Sequence, residues 1–156
     1  MNAPRLVAAA LLALAAGPLS AASCTVQPSG LAFGAYDPFS PVPLDSMGTV
    51  LVSCSGTPGS LVAYTVRLGT GGSGSFAARR MRGNGPWSLD YNLYVNPARS
   101  LVWGDGNGGS QVVGEAFRLA HHRPVNRVHA IHGRLFPRQN VAPGPYADTL
   151  VLTLEF

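Results

Sequence analysis

The sequence predicts an all-β protein with the architecture of a β-sandwich, and three observations support this. The 19 Gly and 13 Pro divide the 156 residues into short segments. Several of these segments alternate apolar and polar residues with a period of two, as half-buried strands do. No long stretch combines helical periodicity with capping residues. Roughly seven or eight short strands in one domain, each followed by a turn, are typical of a sandwich.

The C-terminal segment shows the alternation most clearly. From Thr149 onward one face consists of Leu150, Leu152, Leu154 and Phe156, and the other face is largely polar. This pattern predicts a half-buried strand that starts near Tyr146 and ends on a core-facing Phe156. Terminal strands normally fray. A large apolar residue at the end therefore indicates that another strand holds this one, either from the same fold or from another molecule.

The other strands follow from the same pattern and from the turn residues between them. The Gly-rich stretch 69–74 and the Pro-rich stretch 37–43 are predicted to be loops. Before the C-terminal strand, strands are predicted at residues 24–27, 47–54, 61–68, 89–95, 101–103, 111–117 and 125–136.

The N-terminal residues are typical of a secretory signal peptide. Arg5 supplies a positive charge, residues 6–16 are apolar, and Ser20-Ala21-Ala22 offers small residues before a cleavage site. Cleavage after Ala22 leaves one domain, residues 23–156, of 134 residues (156 − 22). The apolar run is shorter than the ~20 residues of a membrane span. We therefore expect an exported protein.

Two cysteines, Cys24 and Cys54, lie in two predicted strands. An even pair in an exported chain predicts a disulfide. The alternative is a lipoprotein acylated on Cys24. In that case Ala21 occupies the position where such signals usually have Leu, and Cys54 remains a free thiol.

The charges give little support to nucleic-acid binding. Every basic residue is Arg, and without Arg5 there are 10 Arg (11 − 1) against 7 acidic residues. They are scattered along the chain except in the segment 79–82, so a solvated surface is the simpler interpretation.

Three motifs suggest ligand chemistry but lack its context. Gly69–Gly74 matches G-x-G-x-x-G, but no helix follows it, so a hairpin loop is favoured. Asp105–Gly109 resembles the start of a calcium loop, but Ser110 and Ala116 replace its required Gly and Glu, which favours a tight turn. The candidate metal ligands are His121, His122, His129 and His132. His129 and His132 are three residues apart on a predicted strand and therefore point to opposite faces, which disfavours a shared metal.

Catalytic patterns are also missing from the sequence. There is no Gly-x-Ser-x-Gly motif, and the seven acidic residues are spread singly. We predict a protein that is not an enzyme, with no cofactor, no metal and no small-molecule substrate.

Three pairs of stretches carry a resemblance to a known family. They are residues 78–81 with 89–94, residues 97–99 with 102–109, and residues 132–134 with 143–149. The opening residues 24–26 with 31–38, and the strand ending at Cys54, fit the same pattern. From Cys24 to Phe156 the chain resembles the spore coat protein U domain family, which includes the pilin subunits of archaic chaperone–usher pili.

The resemblance implies an immunoglobulin-like sandwich that lacks its last strand. In that family a periplasmic chaperone lends a strand, and the outer-membrane usher exchanges it for the N-terminal extension of another pilus subunit. By this resemblance Leu150, Leu152, Leu154 and Phe156 line the acceptor groove for the chaperone, and Cys24–Cys54 pins the first strand. We expect Tyr146 and Asp148 to fix the turn into the last strand. The expected location is the cell surface, in a pilus or an extracellular coat.

One feature departs from the family pattern, because no extension with alternating apolar residues precedes Cys24. This suggests a subunit that accepts a strand without donating one, either at the tip of a fibre or in a coat. A mis-assigned start codon explains it equally well. Two alternatives stay open: a self-complemented coat protein, and a carbohydrate-binding module that uses Trp87 or Trp103 as a sugar platform.

Overall fold

A computed structural model describes residues 22–156 of the protein. The predicted signal peptide, residues 1–22, lies outside the described residues except for Ala22. The described part forms eight strands: β1 (Ser23–Pro28), β2 (Leu44–Ser55), β3 (Leu61–Leu68), β4 (Arg79–Arg82), β5 (Ser88–Tyr94), β6 (Val113–Arg118), β7 (Val125–Leu135) and β8 (Leu152–Glu155).

The strands form two sheets, and the predicted all-β sandwich is confirmed. One sheet has five strands in the order β1-β2-β7-β5-β4, and the other has three in the order β6-β3-β8. All strand pairs are antiparallel, and the longest, between β2 and β7, runs from Leu44 opposite Leu135 to Cys54 opposite Val125.

The core lies between the two sheets and is built from alternate residues of each strand. Val50 and Val52 of β2 face Val66 of β3, and all three are fully buried. Trp103, in the segment after β5, is also fully buried, and its indole N–H donates to the backbone oxygen of Val66 (3.1 Å). A buried Trp normally needs such a partner for its N–H.

The predicted disulfide is present and joins the two strands at one end of the sandwich. Cys24 and Cys54 are register partners on β1 and β2. No free cysteine occurs among residues 22–156. The bond ties the first strand to β2, which is paired on both of its sides.

Several predicted strands differ from the structure. Residues 101–103 are not a strand, although Val102 and Trp103 form isolated bridges, and residues 79–82, predicted as a connecting segment, form β4. The last strand covers only Leu152–Glu155, because the pairing with β3 begins at Leu68 opposite Leu152 and ends at Thr65 opposite Glu155. Phe156 lies one residue beyond the pairing and is 61% exposed, so its predicted core-facing orientation is wrong.

Candidate functional site

Strand β8 has one free edge. It pairs with β3 on one side, and no strand of the described chain pairs with the other side. The N–H of Gly69 donates to the oxygen of Val151 (2.8 Å). The backbone groups of Val151, Thr153 and Glu155 therefore point towards β3. By the alternation of an antiparallel ladder, the backbone groups of Leu152 and Leu154 then point outward to the free edge.

A second edge lies opposite, in the segment that follows β1. This segment, residues 30–36, is held at its start by Ser29, whose N–H donates to the oxygen of Thr49 (2.9 Å). Its end is held by Tyr36, whose hydroxyl donates to the oxygen of Phe136 (3.0 Å). Between these anchors the N–H groups of residues 31–36 donate no hydrogen bond to any residue in 22–156. These N–H groups are therefore unpaired within the described part of the chain.

Gly133 explains how this segment approaches the five-stranded sheet so closely. A Cβ atom on Gly133 of β7 would lie 2.8 Å from Leu31 Cδ1 and 2.9 Å from Phe33 Cζ. The Phe33 ring also meets the Tyr91 ring edge-on, with the centroids 6.0 Å apart. The side chains of Leu31 and Phe33 thus pack against the core, while the Ala32 oxygen between them accepts from the Ser46 hydroxyl (2.5 Å).

A cavity of about 820 Å³ separates the two edges; we call it the groove. Residues 30–36 form one wall, and residues 141–150 with Leu152 form the other. The floor consists of core side chains from both sheets: Leu68, Leu89, Leu93, Ile131 and Leu135. This volume is in the range of binding clefts, and its lining is predominantly apolar, as such sites usually are.

The groove occupies only half of the length expected from the sequence. Leu150 and Leu152 line it, whereas Leu154 packs half-buried against the core and Phe156 is exposed. β1 passes near β8 without pairing to it. The opening starts where the chain leaves β1 at Pro28, and Pro28 itself lines the groove.

Three tyrosines, Tyr36, Tyr91 and Tyr146, line the groove. Each of their hydroxyls already donates a hydrogen bond within the chain. Tyr36 donates to Phe136, Tyr146 donates to the oxygen of Ala142 (2.6 Å), and Tyr91 donates to Asp148 Oδ2 (2.9 Å). Burial, assisted by the nearby charge of Asp148, raises the pKa of Tyr91. An occupant therefore meets the apolar faces of these rings and no free tyrosine hydroxyl.

Asp148 is the one charged residue lining the groove within the described chain. Its Oδ1 accepts from the N–H groups of Gly72 (3.0 Å) and Thr149 (2.9 Å), and its Oδ2 accepts from Tyr91. Tyr146 thus bonds within the segment that leads into β8. Asp148 bonds within the same segment, to Thr149, and outside it to Gly72 and Tyr91. Their proposed role, fixing this turn, remains a prediction.

The other residues singled out from the sequence lie elsewhere. Trp103 is completely buried and offers no sugar platform, whereas Trp87 is 42% exposed. His129 points inward, with its Nε2 2.7 Å from the Tyr64 hydroxyl, and His132 is buried opposite Met47 on the outer face. Within residues 22–156 no three His, Cys, Asp or Glu side chains are grouped to hold a metal.

The second wall, residues 30–36, was not identified as a functional element, although residues 31–38 carry part of the family resemblance. Its signal was the combination of apolar Leu31 and Phe33 with flanking glycines, which interrupts a strand pattern. The sequence alone does not show which edge this segment faces.

Comparisons with known proteins agree with this architecture. The model of the Spore Coat Protein U domain matches residues 9–153. The chain is 32% identical over 135 residues to Protein U of Myxococcus xanthus, which covers 81% of this chain and 71% of that protein.

A solved structure shares the fold. It is a chain in the CsuC-CsuE chaperone-tip adhesion subunit pre-assembly complex from archaic chaperone-usher Csu pili of Acinetobacter baumannii, matched with a TM-score of 0.56 and 17% identity. The match covers 87% of this chain and 40% of that one, so this chain spans about two fifths of its structural relative.

The family relationship rests on the family-model match over residues 9–153 and on a relative at 32% identity. The two-sheet sandwich with a disulfide on its first strand agrees with it. The chain belongs to the Spore Coat Protein U domain family.

Proposed function

We propose that this protein is a non-catalytic subunit of a surface coat or pilus, and that its sandwich is completed by a strand from another protein. The observation that carries this proposal is the free outward edge of β8 beside an apolar groove of about 820 Å³. An extended segment entering the groove finds backbone partners on both walls and an apolar floor, which are the two requirements of strand addition.

The proposed partners follow from the family and from the structural relative, whose complex contains a chaperone and a pilus subunit. A periplasmic chaperone supplies the first strand, and an outer-membrane usher exchanges it for a strand of another subunit. The protein is exported through the periplasm to the cell surface. Within residues 22–156 the structure contains no helix with the length and apolarity to cross a membrane.

The expected gain from strand addition is large enough to drive assembly. Each large apolar side chain buried in the groove contributes about 1.5–3 kcal/mol before the cost of ordering. Left open, a free strand edge beside an apolar floor favours aggregation. A dedicated chaperone is the expected solution to that hazard.

The test uses charged substitutions on the two faces of one strand. Leu152→Asp places a carboxylate in the apolar groove, where burial without a partner is unfavourable. Val151→Asp is the matched control, because Val151 is the neighbouring residue and is 71% exposed. Phe156→Asp probes whether the occupant extends beyond the groove.

The readout is recovery after periplasmic co-expression with the chaperones encoded in the same genome. We expect Leu152→Asp to abolish co-purification and Val151→Asp to retain it. Equal capture of the wild type and Leu152→Asp would contradict strand addition at this groove. Expression of the chain alone adds a second criterion: a stable monomer with exchange-protected amides at Leu152 and Leu154 would indicate self-completion.

A further inference from the structure

A rigid apolar projection stands beside the groove. Phe39 is 89% exposed and Val42 is 66% exposed, and we call this pair the knob. Both lie in the loop Asp37-Pro-Phe-Ser-Pro-Val-Pro43, whose three prolines fix the backbone. Isolated exposed apolar residues are common, but a braced loop that presents an aromatic side chain loses little conformational freedom on binding.

Hydrogen bonds within the loop hold the knob in place. The Asp37 backbone oxygen accepts from the N–H of Ser40 (3.2 Å), and Asp37 Oδ1 accepts from the N–H of Phe39 (2.9 Å). The N–H of Val42 donates to the hydroxyl of Ser40 (3.2 Å). Phe39 is therefore kept in solvent and does not fold back into the groove of its own molecule.

The knob is continuous with the groove. Pro38, directly before Phe39, and Tyr36, three residues before it, both line the groove. One face of the molecule thus has an apolar projection and an apolar cavity side by side. A second copy of the chain, related by a two-fold axis, presents the same two features in a complementary position.

The charges around this face are also self-complementary. Asp37 begins the knob loop, and Arg138 precedes Gln139, whose N–H donates to the Tyr36 hydroxyl (2.7 Å). Neither Asp37 nor Arg138 forms an ion pair with any residue in the described chain. The carboxylate of Asp37 and the guanidinium of Arg138 thus lie unpaired at the same end of the molecule. In a two-fold contact each can pair with the opposite charge on the other copy.

We propose that two copies associate through this face, with Phe39 of each copy entering the groove of the other. The contact is closed by its symmetry, so it produces a dimer and not a filament. It covers the groove in the absence of a donated strand, and a strand that enters the groove displaces the knob. The dimer does not depend on strand addition, although both use the same groove.

The first test is the concentration dependence of the molar mass in analytical ultracentrifugation. We expect the wild type to form dimers, and Phe39→Ser with Val42→Ser to raise the dissociation constant by about tenfold or more, because the buried apolar contact is lost. The matched controls Leu61→Ser and Val128→Ser change residues that are 62% and 65% exposed on other faces. They should leave the dissociation constant unchanged.

The second test locates the contact by cross-linking. The described chain has no free thiol, so single cysteines can be introduced cleanly. Ser40→Cys, which keeps Phe39, mixed with an affinity-tagged Thr149→Cys should give a tagged disulfide heterodimer, because Thr149 lines the groove of the other copy. Ser40→Cys mixed with tagged Val128→Cys should not.

Three results overturn the proposal: a monomer at every concentration, a dimer that the knob substitutions leave unchanged, or equal cross-linking to positions 149 and 128. A monomeric wild type that still binds chaperones through Leu152 overturns only the dimer. Loss of chaperone capture with an intact knob-dependent dimer contradicts only the strand-addition proposal.

Discussion

The buried Arg79 gives the sharpest test of how the groove is supported. Its side chain is completely buried, and it donates from Nε and Nη2 to the Gly69 oxygen (3.1 and 2.9 Å). Nη2 also donates to the Trp103 oxygen (2.6 Å), and Nη1 donates to Asn92 Oδ1 (2.7 Å). Burial lowers the pKa of Arg79. Gly69 also bonds Val151 just before β8, so this guanidinium holds the junction next to the groove.

Replacing Arg79 with Leu has two opposing effects on the free energy of unfolding. The desolvation cost of a buried cation disappears, which favours the variant. Against this, the Trp103 oxygen loses its hydrogen-bond donor and the Gly69 oxygen loses two of its contacts, at about 1–3 kcal/mol for each acceptor left buried. The shorter side chain also leaves a void. We expect the losses to dominate, with a net destabilisation of about 3 kcal/mol.

Equilibrium unfolding in urea, followed by the fluorescence of buried Trp103, measures this difference. A loss of about 3 kcal/mol is a large part of the 5–15 kcal/mol typical of a domain. The control is Arg80→Leu on the same strand, which removes an exposed ion pair to Asp90 (2.8 Å) and should cost at most about 1 kcal/mol. An Arg79→Leu variant as stable as the wild type would refute the reasoning, because desolvation of the cation would then outweigh its hydrogen bonds.

Two further predictions concern the rest of the sandwich. Replacing both Cys24 and Cys54 with Ala should lower the free energy of unfolding by about 3–4 kcal/mol, since the bond closes a loop with a sequence separation of 30; equal urea midpoints for the variant and the oxidised wild type would contradict this. Burial lowers the pKa of His129 and His132, so the unfolded chain takes up protons first as the pH falls below about 6.5. The melting temperature should therefore fall from neutral pH towards pH ~5, with a weaker dependence in His129→Gln. A wild-type melting temperature that stays constant between neutral pH and pH ~5 would contradict this prediction.

The fold class was predictable because the signal for a sandwich is local. Alternation in residues 61–68 and 125–135 follows from one face packing on the core, and glycine and proline mark the turns. β4 was not predictable, since its first residue is a buried arginine whose partners come from distant parts of the chain. A pattern of apolar and polar residues places such a residue at the surface.

Only one wall of the groove was predictable from the sequence. Leu150 and Leu152 follow from the alternation of the last strand, but the opposite wall depends on the path of residues 30–36 over Gly133. That path is set by tertiary contacts with β2 and β7 and by the Tyr36 anchor. The predicted core-facing orientation of Phe156 was wrong for a related reason. Local alternation places Phe156 on the core face, but the register with β3 leaves it beyond the last paired residue.

The disulfide has a mechanical consequence. Tension applied to the chain upstream of Cys24 does not peel β1 from its neighbour, because the covalent link carries the load directly to Cys54. From there the force is distributed over β2, which is hydrogen-bonded along both flanks. A sandwich connected in this way withstands pulling at its leading end without unzipping.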